Sequence, residues 1–271
     1  MVLGSAHRRR AFDATTFSKN RDRLLSAEIA DRFFAAVVAQ ARLRRYLSSE
    51  HFSVDGTLLE AWASHKSFKP KDGSKAGTAG PGRNAEVDFH GQRRSNETHQ
   101  STTDPEARLA RKSHATAAKL CYAGHLLMEH RSALIVDLDL TEASGYAERD
   151  AALAMLGRLP RRKRRGTIAG DKGYDVAGFV AEVRDLGFTP HFAANTTRQR
   201  STIDGRTTRH AGHQTSQRIR KRIEEPFGWM KTVAGGRKLR YISRQRNRAW
   251  FVMTGAVYNV IRIAALDAVA T

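Results

Sequence analysis

The chain has 271 residues, 40% of them hydrophobic, enough for one large globular domain or two small ones. Its formal charge of +20 and pI near 10.8 exceed what solubility asks for and point to a polyanionic partner, with nucleic acid ahead of a membrane surface. A single cysteine, Cys121, excludes an intrachain disulfide and a cysteine-based zinc site, leaving it a packing role.

The N-terminal MVLGSAHRRRAFD holds no apolar stretch long enough for a secretory signal, so a cytoplasmic, nucleoid-associated location is expected. From Ser26, a plausible N-cap, Ile29, Phe33, Val37 and Ala41 recur at helical spacing and predict an amphipathic helix. EHFSVDGTLLEAW then reads as a strand ending near its one central acid, Asp55. From about 63 to 103 the composition turns to Lys, Gly, Ser, Thr, Asn and Arg, which predicts a disordered basic loop. Its GTAGPG lacks the preceding strand, the following helix and the Gly-Lys-Ser/Thr of a phosphate loop.

KLCYAGHLLMEH and SALIVDLDLT predict a hairpin, followed by a helix at about Tyr146 to Leu156. A basic cluster, Arg161, Arg162, Lys163, Arg164 and Arg165, precedes the short strand of TIAGDKGYD, with Asp171 at its end. A helix at about Val176 to Leu186, a strand TPHFAAN, a basic Thr-rich linker to about His213 and a long apolar helix from about Asn247 to Leu266 complete the reading. The apolar run AWFVMTGAVYNVI is shorter than the about 20 residues of a membrane span and meets Arg262, so no span is expected. Strands first, then strands alternating with helices, predict an α/β mixed sheet flanked by helices.

Before the last helix lies RIRKRIEEPFGWMK, two acids inside a basic run. On one continuous helix Arg220, Glu224 and Lys231 fall at about 0°, 40° and 20°, while Glu225 points away at about 140°. Glu224 is therefore the acid placed beside two bases, on the border of the apolar face made by Ile219, Ile223, Phe227 and Met230. Pro226 predicts a kink or restart just after Glu224. Two carboxylates at strand ends, Asp55 and Asp171, suggest a site for a hard cation. A turn-former or an ion-pair partner accounts for either acid taken singly.

VDGTLLEAW, GDKGYD and R-x3-E-x6-K, the last formed by Arg220, Glu224 and Lys231, together resemble the three acidic motifs of a bacterial insertion-sequence DDE transposase of the insertion-sequence-five group. The resemblance runs from about Phe12 to the C-terminus. It implies a ribonuclease H-like fold with the first Asp on the first strand, the second just after the fourth, and the Glu on a later helix. It also implies two divalent cations, normally Mg²⁺ with Mn²⁺ able to substitute, held by Asp55, Asp171 and Glu224. Such a pair clamps the attacking and departing oxygens of a phosphodiester, here in double-stranded transposon ends and target DNA. A homodimer on DNA is implied as well.

Arg220 and Lys231 are then expected to hold phosphates near the scissile bond, Lys172 to contact DNA, and the Arg161 to Arg165 cluster and the 66–94 loop to track the backbone. Trp229 is placed either to stack on an unpaired base or to cap an apolar cluster with Trp250. The family's motif often has a Tyr where Gln217 stands. The chain is read as beginning inside or after the N-terminal helical region of such enzymes, with 1–49 its remnant and 50–271 the catalytic domain. The rival readings are a truncated copy that binds DNA without transposing and a host nuclease on the same fold. Asp137 and Asp139 are expected on the polar side of a half-buried strand, and the pairs His125/His130 and His210/His213 lack zinc-site spacing.

Overall fold

A computed structural model describes residues 14–24, 27–73, 94–113, 115–160, 164–196 and 201–270. In chain order the elements are α1 (Ala14–Leu24), α2 (Ala27–Leu43), β1 (His51–Glu60), β2 (Phe68–Pro70), β3 (His99–Ser101), β4 (Arg108–Ala110), β5 (Lys119–Glu129) and β6 (Ile135–Glu142). They continue as α3 (Ala147–Arg158), β7 (Gly166–Gly170), α4 (Ala177–Asp185), β8 (Phe188–Phe192), α5 (Gly205–Thr208), α6 (Ala211–Ile219), α7 (Glu224–Thr232) and α8 (Arg244–Ala270). Short 3₁₀ turns occupy His65–Ser67, Lys172–Tyr174 and Arg220–Ile223.

The main sheet runs β4-β5-β1-β7-β8, with β6 sharing the outer edge of β5. β1, β5 and β6 pair antiparallel, while β7 and β8 run parallel to β1. The α/β mixed sheet flanked by helices is thus as expected, and its β6-β5-β1-β7-β8 frame is the ribonuclease H-like arrangement that the resemblance implies. Asp55 lies on the first strand, Asp171 just after the fourth strand of that frame, and Glu224 opens a later helix.

β5 is buried along all but its first residue because helices cover both faces of the sheet. On one face α2 and α8 pack together, burying Ala30, Phe34, Val37, Val38 and Ala41 against Ala249, Phe251, Val252 and Ala256. Phe34 rather than Phe33 points inward, and Phe33 is exposed. On the other face α3 and α4 enclose Phe52, Val54, Ala152, Met155, Ile168, Tyr174 and Phe179.

Several boundaries differ from expectation. Asp55 stands in the middle of a ten-residue strand rather than near its end. The 63–103 segment is not a loop throughout: its two ends meet as the β2–β3 ladder, Phe68 opposite Ser101. GTAGPG and the Ser26 cap lie outside the described residues. The Thr-rich linker contains α5, started by Asp204, whose side chain accepts from the Thr207 amide, and it runs into α6. The last helix is longer than expected, and over Arg244–Val269 it is long and apolar enough to cross a membrane by length and composition. Half of its most apolar window is nevertheless buried inside the fold.

Asn259 fixes α8 over the sheet. Its Oδ1 accepts from the Ile135 amide at 2.9 Å and its Nδ2 donates to the Ile135 carbonyl at 2.7 Å, closing the first residue of β6 as a neighbouring strand would. Asn259→Ala leaves both buried backbone groups unpaired and is expected to cost about 1–3 kcal/mol, read as a lower urea midpoint.

Candidate active site

The pairing of β1 with β7 is short. It joins His51 to Thr167, Phe52 to Ile168 and Ser53 to Ala169, then stops. Continued by two residues, that register would set Asp55 level with Asp171, but β7 ends at Gly170 and the chain turns away. Gly170 permits the turn, because a Cβ there would stand 2.8 Å from the Tyr174 ring and 3.0 Å from Phe192. Asp171 caps the 3₁₀ turn beyond it, its Oδ1 accepting from the Gly173 amide at 2.8 Å. Asp55 accepts from the amide of Gly56 at 2.8 Å. The result is a crevice at the free edge of β1 with one carboxylate on each side.

Burial pushes the Asp55 carboxyl from its ordinary value of 3.8 to about 6, the neighbouring charges of Asp171 and Glu148 add to the rise, and the Gly56 amide and Arg220 oppose it. Arg220 is held in place: its Nε donates to Gln217 Oε1 at 2.9 Å, and Gln217 donates in turn to the His191 carbonyl at the end of β8. Gln217, where the family's motif often has a phenol, therefore positions the arginine. Lys231 donates to Thr57 Oγ1, two residues along β1 from Asp55 and on the same face. Desolvation lowers the Lys231 pKa, helped by Lys112 and opposed by Cys121 and Asp55.

The continuous helix drawn through Arg220, Glu224 and Lys231 is not formed. Arg220–Ile223 is a 3₁₀ turn packed against β1, and α7 starts at Glu224, so the break precedes Glu224 instead of coming after it. Pro226 at the third position of α7 fits a helix start, where its missing N–H has no partner to lose. Glu224 and Glu225 are both exposed in this first turn. Among the other expected DNA contacts, Lys172 is exposed beside Asp171, and Arg164 and Arg165 are exposed before β7. Arg161, Arg162 and Lys163 lie outside the described residues. Trp229 packs edge-on against Tyr258, with ring centroids 6.0 Å apart, and is partly buried in the core.

Asp137 and Asp139 are tied to Arg158 and Arg248, each at 2.8 Å, on the polar side of β6. Cys121 is buried, and burial pushes its thiol up to about 11. Sequence reasoning missed Glu148, in the first turn of α3, whose side chain lies across Gly56; a Cβ on Gly56 would come within 2.7 Å of its Cγ. No spacing in the sequence could have shown it, because the approach is made by packing α3 on β1.

Among the described residues no three His, Cys, Asp or Glu side chains are gathered closely enough to hold a metal ion by themselves. The Asp55 and Asp171 pair fits a hard cation such as Mg²⁺, which binds through one or two carboxylates and takes its other ligands from water and substrate phosphate.

No curated protein matches the chain. Two solved structures overlay it distantly at 10% identity. The Mos1 mariner paired-end complex with Mn covers 96% of this chain and 64% of its own, with a TM-score of 0.28. The Mos1 transposase paired-end complex with left transposon end covers 97% and 66%, with a TM-score of 0.27. The chain thus spans about two thirds of the length of those proteins, and overlays so weak do not bear on the site. The model of the transposase DDE domain matches residues 47–260, from just before β1 into α8 and across the whole Asp55–Asp171 crevice, and the chain belongs to that family.

Proposed function

We propose that this transposase cuts double-stranded DNA at the ends of a bacterial insertion sequence of the insertion-sequence-five group and joins the freed 3′ ends to target DNA, as a homodimer acting in the cytoplasm. The observation that carries the reading is Asp55: a half-buried carboxylate kept beside Asp171 and given no ion-pair partner among the described residues of a chain with 47 bases. In such a basic chain a structural acid is readily neutralised, as Asp137 and Asp139 are. A carboxylate left charged and desolvated is suited to binding a cation.

Divalent ions, Mg²⁺ or Mn²⁺, would be held by Asp55, Asp171 and Glu224, and when bound they supply a lowered water pKa and compensate charge on the departing oxygen. The chain itself does the rest. Arg220, braced by Gln217, presents a fixed guanidinium suited to a forked phosphate contact. Lys231, anchored on Thr57, supplies a point charge on the same face. Lys172, Arg164 and Arg165, with the Arg161, Arg162 and Lys163 cluster, meet the DNA backbone further out. For Trp229 the packing role against Tyr258 is favoured over base stacking.

Asp55→Asn, Asp171→Asn and Glu224→Gln are each expected to slow Mg²⁺-dependent nicking of a labelled end substrate by at least about 10²-fold. DNA retention on a gel at the same salt should stay near the wild-type level. Full nicking by Asp55→Asn or Asp171→Asn would sink the reading, and full nicking by Glu224→Gln would remove Glu224 from it.

Asp55 also makes stability depend on pH. Its folded pKa of about 6 lies above the ordinary 3.8, so between those values the folded chain binds a proton that the unfolded chain does not. Stability therefore falls as pH rises through that window, and the loss is complete above about pH 6. Metal-free Asp55→Asn should melt about 2–5 °C above the wild type at neutral pH. The two melting points should converge as the pH is lowered below 3.8.

A further inference from the structure

α3 delivers a third carboxylate to the crevice. Its buried Ala147, Ala151, Ala152, Met155 and Leu156 pin the helix to the sheet, and Ser144 Oγ accepts from the Ala147 amide at 3.1 Å to fix its first turn. Glu148 comes directly after Ala147, and Arg149 ties the same turn to the far side of the crevice by donating from Nη1 to the Gly173 carbonyl at 3.4 Å. Alternation along β1 puts Gly56 on the opposite face from Asp55. The Glu148 side chain lies flat on Gly56, its Oε1 2.8 Å from where a Cβ would stand, so only glycine leaves it this seat. Because β7 has already left the sheet here, nothing from that strand separates Glu148 from the two aspartates. The charges reach one another: Asp171 acts on Glu148, and both act on Asp55.

An independent feature points to a ligand at the same place. Tyr174 is 1% exposed, and its hydroxyl has no hydrogen-bond partner among the described residues. The charges that act on that hydroxyl are those of Glu148, Asp55 and Asp171, in that order, opposed by Arg149. A buried hydroxyl acted on by three acidic charges and hydrogen-bonded to no described group is costly unless a further acceptor takes its hydrogen bond. Carboxylates whose charges act on one another in this way are likewise costly to keep ionised unless a cation joins them.

We propose that Glu148 is a further ligand of the divalent cation held at Asp55 and Asp171, placed by α3 across Gly56, with the Tyr174 hydroxyl directed at the oxygens gathered there. The assignment rests on the metal-dependent reading of the aspartate pair. It makes Glu148 part of a DNA-free metal site.

The test is Mn²⁺ binding to the full chain without DNA, measured by titration calorimetry, with circular dichroism and melting of the metal-free proteins as fold controls. Glu148→Gln keeps the shape and removes the charge; it should weaken Mn²⁺ binding roughly ten-fold or more. Glu148→Asp keeps the charge at shorter reach and should fall between Gln and wild type. Wild-type affinity in Glu148→Gln, with Asp171→Asn weakened, would overturn the role of Glu148 and leave the aspartate pair standing. No Mn²⁺ uptake by the wild type, or wild-type affinity in Asp171→Asn, would overturn the pair as well. If Glu148→Gln does not fold, Glu148→Asp decides: unchanged affinity overturns the assignment, and weakened affinity supports it.

Discussion

The early end of the β1–β7 ladder is the constraint on which the rest of the molecule depends. Three paired residues hold the strands in parallel register, and two positions further on the residues level with each other are both aspartates. Had the ladder run on, Asp55 and Asp171 would be neighbours on a closed sheet surface. Because Gly170 lets the chain turn under Tyr174 and Phe192, the ladder stops instead and Asp171 caps the 3₁₀ turn beyond it, its charge still acting on Asp55. The arrangement is unfavourable by itself: one acid is desolvated, and a like charge stands beside it. The strongly buried β5, the α2–α8 layer and the Asn259 clamp supply the rigidity that holds it in place.

The surrounding ion pairs sharpen this reading. Glu60 pairs with Lys119, Glu142 with Arg108, Asp137 with Arg158, and Asp139 shares Arg248 with Asp31 of α2. These acids serve the fold, joining strands to helices where the chain's excess of base makes a partner easy to find. Even the fully buried Glu129 is satisfied: burial pushes its pKa up, but hydrogen bonds from Ser132, Ser48 and Arg131 outweigh that and leave it lowered. Asp104, also buried and without an ion pair among the described residues, is held by the Tyr122 hydroxyl at 2.7 Å, whereas Asp55 accepts from the adjacent Gly56 amide and stands beside the charges of Asp171 and Glu148, and local rules are most often broken at functional sites.

Features that depend on local pattern are legible in the sequence. The strand around Asp55, the β5–β6 hairpin and the strand-to-turn step at Asp171 each show alternation or a glycine boundary, and all three form, although β1 runs on past Asp55 to Glu60. The β2–β3 ladder is not legible, since three-residue strands flanking a long polar segment carry no period of their own. At Pro226 the sequence shows that a break must occur but not on which side. A proline ends a helix that runs into it yet suits a helix that starts just before it, and the packing of Arg220–Ile223 on β1 selects the second case. Phe33 fits the apolar stripe of α2 on spacing alone, but Phe34 beside it is the buried one, and only the packing of α8 settles which face of the helix turns inward.

The break before Glu224 also explains how one segment serves both sides of the crevice. A 3₁₀ turn advances about 2.0 Å per residue and turns about 120°, against about 1.5 Å and 100° in an α-helix, so it re-aims α6 and α7 relative to each other. Before the turn, Gln217 fastens to the His191 carbonyl of β8 and braces Arg220. After it, α7 carries Lys231 onto Thr57 of β1. The two cations are therefore anchored to different strands and come to the carboxylate crevice from separate directions. Holding Lys231 there without a phosphate is unfavourable, because desolvation lowers the pKa of its half-buried ammonium. On the proposed reading, that cost is met before DNA arrives, so the charges need little reorganisation when a scissile phosphate enters between them.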